Sequence, residues 1–126
     1  MHEATPLRRV LVVDHEVLIA TMLGDMLREM GHEVIGPAQT ASKALHFAQF
    51  VDLDCAILDI DLGEGQTTAC VATTLMERGI PFAVTTGYPK SFVVEPFDKG
   101  VMLSKPFTLE EVQDALKEMS ASQSSS

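Results

Sequence analysis

This chain has no tryptophan, a single tyrosine and six phenylalanines in 126 residues, so aliphatic and methionine side chains must fill its core. Cysteine is equally sparse. Cys55 and Cys70 stand without any zinc-ligand spacing and form no disulfide framework; they read as buried free thiols. Positive charge is scarce too: nine Lys and Arg face eighteen Asp and Glu, for a formal net charge of -9. No basic stripe exists to neutralise a phosphate backbone, which excludes nucleic acid as a partner. No apolar run is long enough to cross a bilayer, and the opening Met1-His2-Glu3-Ala4-Thr5-Pro6 is too short and polar for a signal peptide. The expectation that follows is a reducing, cytoplasmic setting with no membrane contact.

What is present is hydrophobic patterning. Hydrophobic residues make up 46% of the chain, enough for one domain with a real core. Val10–Val13, Cys55–Leu58, Phe82–Thr85 and Val101–Ser104 are short runs with too little alternation for half-exposed strands, so they read as strands buried on both faces. Glu33–Ile35 is a further strand, ended by Gly36-Pro37. Helical spacing predicts helices over Glu16–Met30, from Thr40, over Thr67–Arg78, and from Thr108. Thr108-Leu109-Glu110-Glu111 reads as a capping box, with Leu109, Val112, Leu116 and Met119 inward. Asp61-Leu62-Gly63-Glu64-Gly65 reads as a loop. Between Gly87 and Gly100, Pro89 and Pro96 allow only a short or irregular fourth helix. Residues 1–7 are expected to be a flexible leader, 8–119 the domain, and 120–126 a disordered serine-rich tail.

Strand and helix alternation with continuous apolar strands predicts an α/β fold: a doubly wound, five-stranded parallel sheet of order 2-1-3-4-5. That order places a site outside the carboxyl ends of strands 1 and 3, where the winding reverses. Asp14 and Asp59 stand at those two ends, and Thr86 and Lys105 end strands 4 and 5. Two acids, a hydroxyl and an ammonium along one rim suggest a site for phosphate and a metal. Taken singly, each has a plainer reading: Asp14 as a helix cap, Asp59 and Thr86 as turn residues, Lys105 as a solvated cation.

The set Val12-Val13-Asp14, Leu58-Asp59, Thr86 and Lys105-Pro106-Phe107 resembles the receiver domain of bacterial two-component response regulators. Pro81-Phe82-Ala83-Val84-Thr85-Thr86-Gly87-Tyr88 also resembles the signature of the FAT GUY subgroup of stand-alone receivers, whose fourth helix is altered. The resemblance implies a flavodoxin-like fold and a phosphoryl group accepted on Asp59 from phosphohistidine of a histidine kinase or histidine phosphotransferase. It implies Mg²⁺ held by Asp14, Asp59 and the backbone carbonyl of Asp61. Lys105 would pair with a phosphoryl oxygen, its bond to Pro106 being cis, and the Thr86 hydroxyl would carry the signal outward. Such a domain is a phosphoacceptor, not a multiple-turnover enzyme. It would act by binding a downstream protein, as a monomer or weak homodimer.

Two positions depart from that pattern. His15 stands where the family places a second acid, and Mg²⁺ prefers hard oxygen ligands. Weaker Mg²⁺ binding is therefore expected, or a softer ion such as Mn²⁺ ligated through His15; Glu16, opening the first helix, is expected to point elsewhere. Met102 replaces the aromatic switch residue common in receivers, with Tyr88 or Phe92 as candidate substitutes. Two other function classes remain open. One is a degenerate receiver-like module that binds partners without phosphorylation. The other is a phosphatase of the haloacid dehalogenase type, because Asp59-Ile60-Asp61 matches its Asp-x-Asp, although that motif belongs on a first strand.

Overall fold

The structure is a computed structural model and describes residues 9–124; the leader expected at residues 1–7 lies outside them. A five-stranded parallel sheet forms the centre. Its strands are β1 (Arg9–Val13), β2 (Glu33–Ala38), β3 (Cys55–Asp59), β6 (Phe82–Thr86) and β7 (Val101–Ser104), in the order β2-β1-β3-β6-β7. Counting only these five, the order is the expected 2-1-3-4-5. The chain also forms a small antiparallel hairpin, β4 (Asp61–Gly63) with β5 (Gln66–Thr67), where a loop was expected. Its turn runs through Gly63, Glu64 and Gly65, all at positive φ, which explains the two glycines that read as loop.

Successive strand residues serve opposite faces. Val10 and Val12 join Leu23, Leu27, Ile57, Leu103, Val112 and Met119 in one core, under α1 (Val17–Glu29) and α4 (Leu109–Ser124). Leu11 and Val13 join Leu58, Val71, Leu75 and Val84 in the other, under α2 (Ala41–Phe50) and α3 (Ala69–Glu77). Because each strand packs on helices on both sides, its apolar run has no polar alternation. Between β6 and β7 there is no α-helix, only 3-10 turns at Lys90–Phe92 and Phe97–Lys99, as the two prolines predicted.

Several local expectations are corrected. β2 does not stop at Gly36-Pro37 but runs to Ala38 through an irregularity opposite Leu11 and Val13. It is an edge strand, so the missing N–H of Pro37 is tolerated there. Gly36 adopts φ 93, and a Cβ would lie 2.7 Å from the Ala38 nitrogen, so only glycine fits. Thr67 belongs to β5 rather than to the third helix. Cys55 is buried, but Cys70 is exposed. Leu109, the first residue of α4, is 39% exposed rather than inward. The capping box forms as expected: the Thr108 N–H donates to Glu111 Oε1 at 2.8 Å, and the Glu111 N–H to Thr108 Oγ1 at 3.1 Å. The polar tail expected from residue 120 is helical as far as Ser124, because α4 continues past Met119. Among the described residues, no helix is long and apolar enough to cross a membrane.

Candidate functional site

The carboxyl ends of β1, β3 and β7 bring three side chains together. Asp14 follows β1. Its N–H donates to the Ala38 carbonyl at 3.0 Å, a bond made available by the irregular end of β2, and its Oδ1 accepts from the Glu16 N–H at 2.9 Å. Asp59 ends β3, with Oδ1 accepting from the Asp61 N–H at 3.2 Å. The buried Thr68 hydroxyl donates to the Asp59 backbone carbonyl at 2.9 Å and fixes the strand end. Asp14 and Asp59 are 2% and 5% exposed. Lys105 follows β7, tied by its N–H to the Thr86 carbonyl at 2.9 Å, and its bond to Pro106 is cis. Its ammonium lies 3.0 Å from Asp59 Oδ2 and 3.4 Å from Asp14 Oδ2.

Glu16 joins this group, contrary to the expectation that it points away. It stands at the N-cap of α1 with extended backbone and makes no capping bond. Its carboxylate is therefore free to reach Lys105, with Oε1 at 3.3 Å from Nζ. The sequence signal is its place directly after Asp14-His15, masked by the helical pattern that starts beside it. Three carboxylates thus converge on one ammonium.

His15 is exposed, yet its Nδ1 lies 3.7 Å from Asp59 Oδ2. Asp14, His15 and Asp59 offer donor atoms all within 4.8 Å of one another. Two buried carboxylates and an imidazole at that spacing fit a divalent cation. The Asp61 carboxylate takes no part: it is exposed and accepts from the Gly63 N–H at 2.8 Å, closing its own hairpin. Thr86 is buried at the end of β6, and its hydroxyl oxygen accepts from the Tyr88 N–H at 3.0 Å. Its neighbour Thr85, paired in register with Asp59, has a buried hydroxyl with no protein partner. Met102 is half-buried and lines a surface groove with Val93, Val101 and Glu118. Tyr88 and Phe92 both sit on the surface.

Burial is the main reason the Asp59 carboxyl is held above the ordinary aspartate range, and the nearby Asp14 charge pushes the same way. The Lys105 ammonium and the Asp61 N–H oppose the rise without cancelling it. Burial alone would lower Lys105, but its bond to Asp59 and the charges of Asp14 and Asp59, with Glu16 adding, outweigh it and raise it. The lysine is therefore firmly an ammonium, while Asp59 carries a charge that the fold only partly compensates. Away from the site, burial pushes the Cys55 thiol up to about 12, with Asp54 adding to it, so this thiol is inert.

Two buried aspartates and a lysine gathered at the switch point of a doubly wound sheet define an α/β domain of the two-component signalling class. Residues 10–117 match the response regulator receiver domain, and the chain belongs to that family. Among curated proteins it is 31% identical over 113 residues to the transcriptional regulatory protein PdtaR of Mycobacterium tuberculosis, covering 87% of this chain and 55% of that protein. It is 31% identical over 101 residues to the phyllosphere-induced regulator PhyR of Methylorubrum extorquens, covering 78% of this chain and 38% of that protein. The chain thus spans about half the length of the first and less of the second. Among solved structures, SdrG from Sphingomonas melonis Fr1 is 36% identical with a TM-score of 0.80, over 90% of this chain and 96% of that one. SdrG in its BeF3-activated conformation matches with a TM-score of 0.76 at 36% identity, over 90% of this chain and 97% of that one. Receiver domains are not multiple-turnover enzymes, so the reading as a haloacid dehalogenase-type phosphatase falls away.

Proposed function

We propose that this chain is a phosphoacceptor that takes a phosphoryl group from a phosphohistidine onto Asp59 and signals through protein contacts. The observation that carries the reading is the 3.0 Å approach of the Lys105 ammonium to Asp59 Oδ2, with Asp14 beside it on the same rim. A carboxylate oxygen of Asp59 attacks phosphorus, and the new O–P bond forms as the donor's P–N bond breaks. The electron pair of that bond stays on the donor imidazole nitrogen, which takes up a proton. The product is a mixed anhydride, labile to hydrolysis. Lys105 offsets the negative charge on a phosphoryl oxygen as it approaches the two aspartates. The Asp61 N–H holds Asp59 Oδ1, which orients the carboxylate.

A divalent cation bound here would supply positive charge that offsets the repulsion between the anionic nucleophile and the anionic phosphoryl group. Asp14 and Asp59 would hold it, with the Asp61 carbonyl and His15 completing the protein donors. The Thr86 hydroxyl, buried one residue past the register partner of Asp59, is the group to carry the change outward. Turning toward the phosphoryl group would release the Tyr88 N–H and loosen the segment that leads to the 3-10 turns. The donor is a histidine kinase or histidine phosphotransferase, the setting is cytoplasmic, and the chain works as a monomer or weak homodimer on a downstream protein. The BeF3-activated conformation of the related SdrG supports this chemistry.

A second reading has one observation in its favour: His15 replaces a metal-binding acid, as in a degenerate receiver that binds partners without phosphorylation. Beryllofluoride, a stand-in for an aspartyl phosphate, separates the two. With a divalent cation present it is expected to shift the amide signals of Asp59, Thr86 and the segment 87–100. Unchanged spectra at saturating beryllofluoride would favour the degenerate module.

A further inference from the structure

We infer that His15, set between Asp59 and the Gly63 turn, makes this a site for a nitrogen-preferring transition-metal dication of the cobalt-to-zinc part of the first row, in preference to Mg²⁺. The inference rests on the reading of Asp14 and Asp59 as cation ligands and deepens it. His15 is not a loose surface imidazole. A Cβ on Gly63 would lie 3.7 Å from both its Cδ2 and its Nε2, so that edge of the ring rests against the hairpin. The opposite edge carries Nδ1, which faces Asp59 Oδ2 at 3.7 Å. Gly63 has φ 83, a left-handed conformation that glycine adopts without strain. A ring nitrogen of His15 thus joins carboxylate oxygens of Asp14 and Asp59 in one group of donors within 4.8 Å of each other.

The chemistry of that donor set decides the ion. Mg²⁺ wants oxygen ligands in near-ideal octahedral geometry and gains little from an imidazole. Cobalt, nickel and zinc dications bind imidazole well, and for mixed nitrogen and oxygen sites the affinities rise along the series toward copper. Replacing one carboxylate by an imidazole also leaves the site with less negative charge, which weakens a hard cation most. Lys105 competes with any dication for the same carboxylates, so the selectivity, not the absolute affinity, is the signature of His15.

The test uses the whole 126-residue chain, stripped of metal and without any phosphoryl donor. Titration calorimetry with NiCl2, ZnCl2 and MgCl2 is run beside proton spectra of the His15 ring. The wild type is expected to bind Ni²⁺ and Zn²⁺ at least about tenfold more tightly than Mg²⁺, with the His15 signals moving at the first equivalent. His15→Asp should move the Ni²⁺-to-Mg²⁺ preference by about tenfold toward Mg²⁺. The comparison is a ratio between variants, so ions held by other histidines cancel. If Mg²⁺ binds the wild type while the His15 signals stay fixed and the ratio is the same in His15→Asp, the inference fails and the aspartate reading stands. If no cation binds and Asp14→Asn changes nothing, the inference fails together with the reading beneath it.

Discussion

Lys105→Met is expected to slow phosphoryl uptake on Asp59 by about two orders of magnitude and to destabilise the fold at neutral pH by about 2 kcal/mol. The two effects share one cause. The ammonium is the only positive group within 3.4 Å of both Asp14 and Asp59 among the described residues, and both carboxylates are nearly fully buried. Without it, two like charges face each other with little solvent to screen them. Methionine preserves most of the side-chain volume, so packing loss is a small part of the result. The Lys105 side chain is 18% exposed, which keeps the stability loss below that of a fully buried pair. Lys105→Met should also drive the Asp59 carboxyl further up. The deficit is thus largest where both aspartates are ionised and shrinks as falling pH protonates Asp59. Adding Asp59→Asn in the same chain should recover much of the stability and none of the uptake. Urea unfolding of the two single variants and the double variant measures the coupling. An additive result would mean that the pair contributes nothing.

Asp59→Asn alone should unfold a few degrees higher than the wild type at neutral pH. The proposed nucleophile is being removed, yet stability rises, because the folded state holds Asp59 above its unfolded value through burial and the Asp14 charge. A raised carboxyl binds its proton more tightly in the fold than in the unfolded chain. Its contribution therefore turns against folding as pH rises from the unfolded value through the folded one, and the penalty is complete above both. The gain from asparagine is accordingly full only once pH exceeds the raised folded value, and it disappears below about pH 4, near the ordinary aspartate value. Lys105 keeps Asp14 and Glu16 as partners in the variant, and the asparagine carbonyl can still accept from Asp61. Thermal unfolding at several pH values gives the sign directly. A lower melting point for Asp59→Asn throughout would show that the ion pair with Lys105 outweighs burial and the Asp14 charge.

Much of this was legible before any coordinates. Val10–Val13, Cys55–Leu58 and Phe82–Thr85 declare buried parallel strands because each packs on helices on both faces. Once their order is inferred, the acids at their ends fall at the switch point. What was hidden lay where local signals mislead. Gly36-Pro37 reads as a stop, yet an edge strand tolerates it, and the irregular pairing it creates presents the Ala38 carbonyl to Asp14. Gly63 and Gly65 read as loop because a tight hairpin turn needs the same positive φ. Glu16 reads as the first residue of a helix, whereas the Asx turn made by Asp14 holds it just outside, where its carboxylate meets Lys105. Thr68 falls within the expected third helix, and it closes the end of β3 through the Asp59 carbonyl. Each of these depends on a contact distant in the chain or on one residue of register, neither of which periodicity records.

Intact-mass measurement after incubation with acetyl phosphate and a divalent cation tests the central claim most directly, with Asp59→Asn treated in parallel. The account predicts that the wild type gains the mass of one phosphoryl group per chain, that the gain is lost on removing the cation, and that Asp59→Asn gains nothing. A wild type that stays unmodified, or an adduct that persists in Asp59→Asn, would contradict it.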